Sequence, residues 1–163
     1  MFQGLKKVFK NKDINEIFSP IEGKAVSIKE VNDPTFSDEL LGKGVAVIPK
    51  KGRIVAPIDG VLSVVFETKH AISITTENGI EILIHIGLDT VNLKGEYYKA
   101  YKKQGDKVKI GDLIIEFDID AIKSKGYDII TPIVICNSSE YPNMDIYLGD
   151  VNELDKIFTL NNK

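Results

Sequence analysis

Apolar and polar residues alternate with a period of two along most of the chain from about Ile17 onward. The clearest run is Ile80–Ile86, with Ile80, Ile82, Ile84 and Ile86 on one face and Glu81, Leu83 and His85 on the other. His70–Thr75 alternates in the same way, His70, Ile72 and Ile74 against Ala71, Ser73 and Thr75. Between the two runs, Glu77-Asn78-Gly79 reads as a hairpin turn, because Asn and Gly tolerate positive φ. Further strands are expected over Ala25–Ile28, Val45–Ile48, Val61–Phe66, Leu113–Phe117 and Ile129–Ile135, with Gly149-Asp150-Val151 and Ile157–Leu160 as candidate last strands. The one good internal helix candidate is Ile119–Lys125, ended by Gly126.

Thirteen glycines and six prolines punctuate this pattern, at the density an all-β sandwich or barrel requires. The expectation is a single antiparallel β domain with short helical turns over residues 17–163, preceded by a tail over residues 1–16. A faint echo runs through it. Ser19-Pro20-Ile21-Glu22-Gly23 resembles Ala56-Pro57-Ile58-Asp59-Gly60, and each leads into a β-rich run, a recurrence that is either chance in a turn-rich chain or the mark of a duplicated β unit. Gly105-Asp106 and Gly111-Asp112 bracket a short strand and suit a tight, twisted corner.

The tail has its own character. Met1–Lys12 carries Lys6, Lys7, Lys10 and Lys12 and no acid. On a helix, Phe2, Leu5, Val8 and Phe9 fall on one side and Lys6, Lys7 and Lys10 on another. It reads either as a solvated terminus or as a weak attachment to an anionic membrane surface, where each lysine contributes about 1 kcal/mol.

Composition narrows the chemistry. The 163 residues hold 21 Lys and Arg against 24 Asp and Glu, a net charge of -3, which argues against a general nucleic-acid binder. No apolar run approaches the roughly 18 residues of a transmembrane helix. Cys136 is the single cysteine. It excludes an internal disulfide and cysteine-based zinc or iron–sulfur sites, and it points to a reducing compartment. There are two histidines, His70 and His85, to do any imidazole chemistry.

Both lie on the expected hairpin. A two-residue Asn78-Gly79 turn pairs Glu77 with Ile80, His70 with Gly87 and Ile72 with His85, which makes the histidines diagonal neighbours on one face. A bulge or a one-residue slip would separate them. Thr68 is two residues from His70 and offers a hydroxyl to orient it, Gly87 lets a ligand approach, and Asp89 adds a carboxylate. Two uses fit. A neutral imidazole attacks phosphorus to form a phosphoramidate, with the second imidazole stabilising the phosphoryl oxygens. Alternatively, the pair supplies two ligands of a zinc site. No nucleotide-binding loop or kinase signature is present.

Three stretches carry a resemblance: Val55–Gly60, Phe66-Glu67-Thr68-Lys69-His70-Ala71, and Glu81–Gly95 with its core His85-Ile86-Gly87-Leu88-Asp89-Thr90-Val91. Gly105–Asp112 and Thr131-Pro132-Ile133-Val134 continue it, so that it runs from about Phe18 to Asn137. Together they resemble the glucose-type enzyme IIA domain (EIIA type 1) of the bacterial phosphoenolpyruvate-dependent sugar phosphotransferase system. The resemblance implies an antiparallel β-sandwich of the duplicated hybrid motif type. It also implies a phosphocarrier with no required cofactor. His85 would accept a phosphoryl group on Nε2 from HPr and pass it to a cysteine of the IIB domain of a sugar permease. His70 would hydrogen-bond that group, and Thr68 would orient His70.

The resemblance further implies a docking ring of Phe36, Leu40, Leu41, Phe66, Leu83, Gly87 and Val91, with Asp89 at its edge. Some members bind zinc through the two histidines when a regulated transporter or enzyme adds a carboxylate, so a regulatory binding module is the alternative function. The implied setting is cytoplasmic, with peripheral contact at the inner membrane face through the N-terminal tail. Residues 138–163 depart from the family pattern. A biotinyl- or lipoyl-type carrier would need a modifiable lysine at a hairpin tip, and Asp106-Lys107 and Asp155-Lys156 are poor candidates for one.

Overall fold

The computed structural model describes residues 14–161. The strands are β1 Ile14–Phe18, β2 Gly23–Ser27, β3 Lys43–Pro49, β4 Arg53–Val55, β5 Gly60–Val65, β6 Ala71–Thr75, β7 Glu81–His85, β8 Tyr98–Ala100, β9 Lys107–Val108, β10 Leu113–Phe117, β11 Thr131–Ile135, β12 Met144–Ile146, β13 Gly149–Val151 and β14 Lys156–Asn161. Two short helices, α1 Pro34–Ser37 and α2 Ile119–Ser124, and three 3-10 turns complete the described elements. Eight strands form one sheet in the order β13-β2-β3-β11-β7-β6-β5-β9, flanked by β1-β14-β12 and β4-β10-β8. The pairings are antiparallel, as the alternation implied. No described helix is long and apolar enough to cross a membrane.

The boundary between tail and domain lies earlier than expected. Asn15 and Glu16 pair with Leu160 and Thr159, so Ile14–Glu16 belong to the sheet. The basic amphipathic pattern of Met1–Lys12 lies outside the described residues. Short strands β4, β8, β9 and β12 carry too few residues for a period to be read. Helix α1 is an element beyond those expected, and Asp33-Pro34 is its local signal: the Asp33 carboxylate accepts from Thr35 N–H, and Pro34 occupies the first turn, where its missing N–H costs nothing. Helix α2 forms where expected. Asp118 caps it by accepting from Ala121 N–H, and Gly126 follows it at φ +89°.

The echo between the two Pro-containing segments is a structural duplication. Phe18 N–H donates to the Pro57 carbonyl, and Val55 N–H donates to that of Pro20. Ser19 exchanges backbone bonds with the turn Asn152–Asp155, and Ala56 does so with Lys109–Asp112. In both turns the aspartate side chain accepts from the first N–H, at 2.7 and 2.9 Å. The third residue of each, Leu154 or Gly111, has positive φ. After the motifs, Gly23 pairs with Val151 and Gly60 with Val108. Residues 138–161, opaque in the resemblance, therefore close the first unit as β9 and β10 close the second.

Both motif glycines are required by close approach. A Cβ on Gly23 would stand 2.1 Å from the Ile48 carbonyl oxygen, and one on Gly60 would stand 2.7 Å from that of Thr75. Gly23→Ala must push β2 away from β3 and is expected to cost about 1–3 kcal/mol. A lowered urea midpoint at unchanged m-value checks this.

The main core lies between the sheets, where Ile72, Ile74, Ile80, Ile82, Ile84 and Ile86 are fully buried. A second, smaller core occupies the opposite face of the large sheet. There Val26, Ala46 and Val134 are covered by Ile28, Val31, Phe36, Leu88 and Ile130, with Leu83 packed against them. By the β alternation His85 shares the face of Leu83, and this second core is therefore its floor.

Candidate functional site

The β6–β7 hairpin brings the histidines together, but not by the expected register. Thr76 N–H donates to the Ile80 carbonyl, and Gly79 N–H closes back on the Thr76 carbonyl. The loop is thus three residues, Glu77-Asn78-Gly79, with Gly79 at φ +91°, a common hairpin solution in which the glycine takes the left-handed position. The extra loop residue slips the pairing by one, so that His85 lies opposite Ala71 and not Ile72. Strict alternation would then send His70 to the other face.

It does not, because His70 is outside the strand. Its segment is a loop joining β5 to β6, in which Lys69 N–H donates to the Phe66 carbonyl and Lys69 adopts φ +60°. That left-handed residue breaks the pleat just before His70. The two imidazoles meet edge to face, with centroids 4.9 Å apart and planes at 87°. Thr68 also lies in this loop, and its Oγ1 is 2.6 Å from His70 Nδ1.

Each ring is held on a second side. Phe66 stands against His70 at 5.3 Å, and Phe36 against His85 at 5.1 Å. His85 Nδ1 lies 2.7 Å from the Gly87 carbonyl oxygen. A carbonyl only accepts, so Nδ1 carries the proton and Nε2 is left with the lone pair. Burial lowers the His85 pKa, against the opposing pull of the Gly87 hydrogen bond and the carboxylates of Asp33 and Asp89. Burial and the neighbouring His85 lower that of His70 to about 4. Both rings are consequently neutral near pH 7, the form in which an imidazole is a nucleophile.

The expected docking ring divides. Leu40, Leu41, Phe66 and Val91 are exposed, at 71%, 39%, 43% and 47%, and Asp89 is exposed. Leu83 is half-buried. Phe36 is 3% exposed and Gly87 is buried, so these two support the site from beneath and offer no docking surface. Phe36 is drawn inward because α1 folds over the second core. Sequence reasoning did not single out Asp33, which caps α1 and faces His85.

Among the described residues no group of three or more His, Cys, Asp or Glu side chains could hold a metal ion. His70 and His85 offer two nitrogens, and a tetrahedral zinc site would need further ligands from a partner or water.

The lowered pKa of His70 has a consequence for stability. The unfolded chain titrates its histidine near 6.5, whereas the folded chain does so at about 4. Between those values the unfolded state binds more protons. The contribution of His70 to stability is thus full above pH 6.5 and is lost as the pH falls toward 4, a loss approaching roughly 3 kcal/mol. Urea titrations from about pH 7 to about pH 4.5 are expected to show a shallower decline for His70→Gln than for the wild type. Equal declines would contradict the buried neutral imidazole.

Comparison with known proteins places the chain in a family. Residues 15–141 match the family described as phosphoenolpyruvate-dependent sugar phosphotransferase system, EIIA 1. The chain is 49% identical over 140 residues to the PTS system glucose-specific EIIA component of Oceanobacillus iheyensis, covering 85% of this chain and 84% of that protein. It is 49% identical over 141 residues to the PTS system beta-glucoside-specific EIIBCA component of Bacillus subtilis, covering 86% of this chain but 22% of that longer protein. The solved structure of glucose permease IIA from Mycoplasma capricolum superposes with a TM-score of 0.86 at 33% identity, over 91% of this chain and 96% of that one. By sequence and by fold, the chain belongs to the EIIA type 1 family of the bacterial sugar phosphotransferase system.

Proposed function

We propose that this protein is a phosphocarrier in which His85 Nε2 takes a phosphoryl group from phospho-HPr and gives it to a cysteine of a permease IIB domain. The observation that carries the reading is the Nδ1–H bond to the Gly87 carbonyl, which leaves a neutral imidazole with its lone pair on Nε2 beside a second imidazole. In the first step Nε2 attacks phosphorus as the donor's P–N bond breaks, and the electron pair returns to the donor imidazole. In the second, a partner thiolate attacks phosphorus, an S–P bond forms, and the pair returns to Nε2. Both steps pass through a loose, in-line transition state, so catalysis is mainly positioning and charge stabilisation.

His70 supplies the stabilisation. When the Thr68 hydroxyl donates to His70 Nδ1, the proton of that ring sits on Nε2 and can be donated to a phosphoryl oxygen. Arrival of the negative group raises the His70 pKa from its low resting value and strengthens that bond. The exposed Leu40, Leu41, Phe66 and Val91 form an apolar rim that HPr and IIB use in turn, excluding water from the phosphoramidate. Cys136 is outside this chemistry: burial pushes its thiol pKa up, away from the thiolate form.

The equal identity to glucose-specific and beta-glucoside-specific relatives supports a IIB partner of one of those two classes, in the cytoplasm where HPr works. Incubation with phosphoenolpyruvate, enzyme I and HPr, followed by peptide mapping, tests the reading. A single acid-labile phosphoryl group on His85 is expected. Acid-stable label, or label elsewhere, would overturn it.

A further inference from the structure

The carbonyl of Ile86, the residue after His85, is held by two buried hydroxyls. Thr90 Oγ1 donates to it at 2.7 Å and the Tyr98 hydroxyl at 2.8 Å, which uses both lone pairs of one oxygen. Thr90 is fully buried and Tyr98 nearly so. The Tyr98 ring stacks on Phe117 at 6.1 Å, packing that a phenylalanine would provide equally well. Core packing thus accounts for the ring and leaves the hydroxyl unexplained. Burial pushes the Tyr98 pKa up to about 12, so the phenol stays a donor.

The oxygen they hold belongs to the peptide joining Ile86 to Gly87. The next peptide, joining Gly87 to Leu88, is pinned by the Leu88 N–H bond to the Asp128 carbonyl at 2.9 Å. Gly87 is the hinge between the two planes, at φ +86°, a conformation that favours glycine. It is also crowded, since a Cβ there would stand 2.6 Å from Thr90 Cγ2. The carbonyl carried by the second plane is the one that accepts the His85 Nδ1 proton. The Asp128 bond holds that plane at one edge only, so with the Ile86–Gly87 plane released the carbonyl would tilt about Gly87 and the proton would distribute between the two ring nitrogens.

We infer that Thr90 and Tyr98 are positioning residues for phosphoryl transfer. By fixing the Ile86–Gly87 peptide they hold the Gly87 carbonyl in place, and this keeps the proton on Nδ1 and the lone pair on Nε2 of His85. The inference rests on the proposed role of His85 as acceptor. It adds two residues that lie behind the nucleophile and act through it.

The test uses Tyr98→Phe, Thr90→Val, the double variant, and Thr90→Ser. Ring nitrogen shifts of His85, measured by NMR on the unphosphorylated protein, report the tautomer without any partner. Initial rates with phospho-HPr report kcat and KM. The folded double variant is expected to show a mixed tautomer and a kcat about tenfold lower with KM within about twofold, because the docking rim is untouched. Thr90→Ser, which keeps the hydroxyl, is expected to retain the wild-type tautomer and rate. Tyr98→Phe, which preserves the ring packing, keeps the test open should the double variant fail to fold. An unchanged tautomer and kcat in Tyr98→Phe and Thr90→Val would overturn the inference. Absence of label on His85 in the wild type would overturn the acceptor role itself, and the tautomer shifts in the same samples would still decide whether the hydroxyls govern the ring.

Discussion

His85→Gln is expected to take up no detectable phosphoryl group from phospho-HPr, a loss of about 10^4-fold or more in rate, the order seen when an attacking group is removed. Glutamine keeps a polar side chain of similar reach, but its amide nitrogen has no available lone pair. The position is half-buried at the edge of the second core, so the substitution leaves the fully buried Ile82, Ile84 and Ile86 undisturbed. Radiolabel transfer from phosphoenolpyruvate, read beside a thermal melt to show that the variant is folded, checks the result. Retained acid-labile label in a folded His85→Gln protein would move the acceptor to His70 and overturn the assignment.

His70→Gln is expected to separate the two steps. Uptake of the phosphoryl group from HPr should fall by less than about tenfold, whereas transfer to IIB should fall by about 10^2 to 10^3, the effect of losing one donor aimed at developing charge. The asymmetry follows from charge. The imidazole of HPr leaves as a neutral group, whereas the IIB thiolate approaches a negative phosphoryl group carrying a negative charge of its own. Neutralisation by His70 is therefore needed most in the second step. Single-turnover transfer to purified IIB, starting from each phosphorylated protein, measures this directly. Equal losses in both steps would reduce His70 to a packing partner of His85. Thr68 contributes to the same step through its 2.6 Å contact with His70 Nδ1, which favours the tautomer able to donate from Nε2.

The histidine pair shows how much of the site was legible beforehand. Its members could be found because a chain with two histidines leaves few choices, and because the Asn78-Gly79 signal joined their segments in one hairpin. The register turned on the apolar pattern more than on the turn signal. Asn-Gly suggests a two-residue loop, which would set Ile72 opposite His85, whereas the three-residue loop pairs Ile72 with Ile84 and Ile74 with Ile82 and so keeps the isoleucines of both strands on the buried face. The slip alone would have parted the rings. A second departure restored the pair, the left-handed Lys69 that lifts His70 out of the strand, and no residue preference announces a lysine at φ +60°.

The family resemblance supplied the members of the rim but not the depth of each. Leu40, Leu41, Phe66 and Val91 are exposed as a docking surface needs, while Phe36 turned out to be the wall behind His85. An apolar residue reads the same in sequence whether it covers a core or faces a partner. Only the packing of α1 over Val26, Ala46 and Val134 decided between the two.

What the sequence determined by itself is local: the β period, the turns where glycine and proline sit, the helix between Asp118 and Gly126, and the inventory of two imidazoles and one thiol. These follow from steric preferences and residue chemistry within a few positions of the chain. The tertiary structure decided what depends on contacts far apart in sequence. It matched the two Pro-containing motifs as reciprocal partners through Phe18–Pro57 and Val55–Pro20. It set the angle between the imidazoles, and it assigned the proton on His85 through a carbonyl fixed from Thr90, Tyr98 and Asp128. Protonation and orientation answer to the field and hydrogen bonds of the folded surroundings, which no local pattern contains.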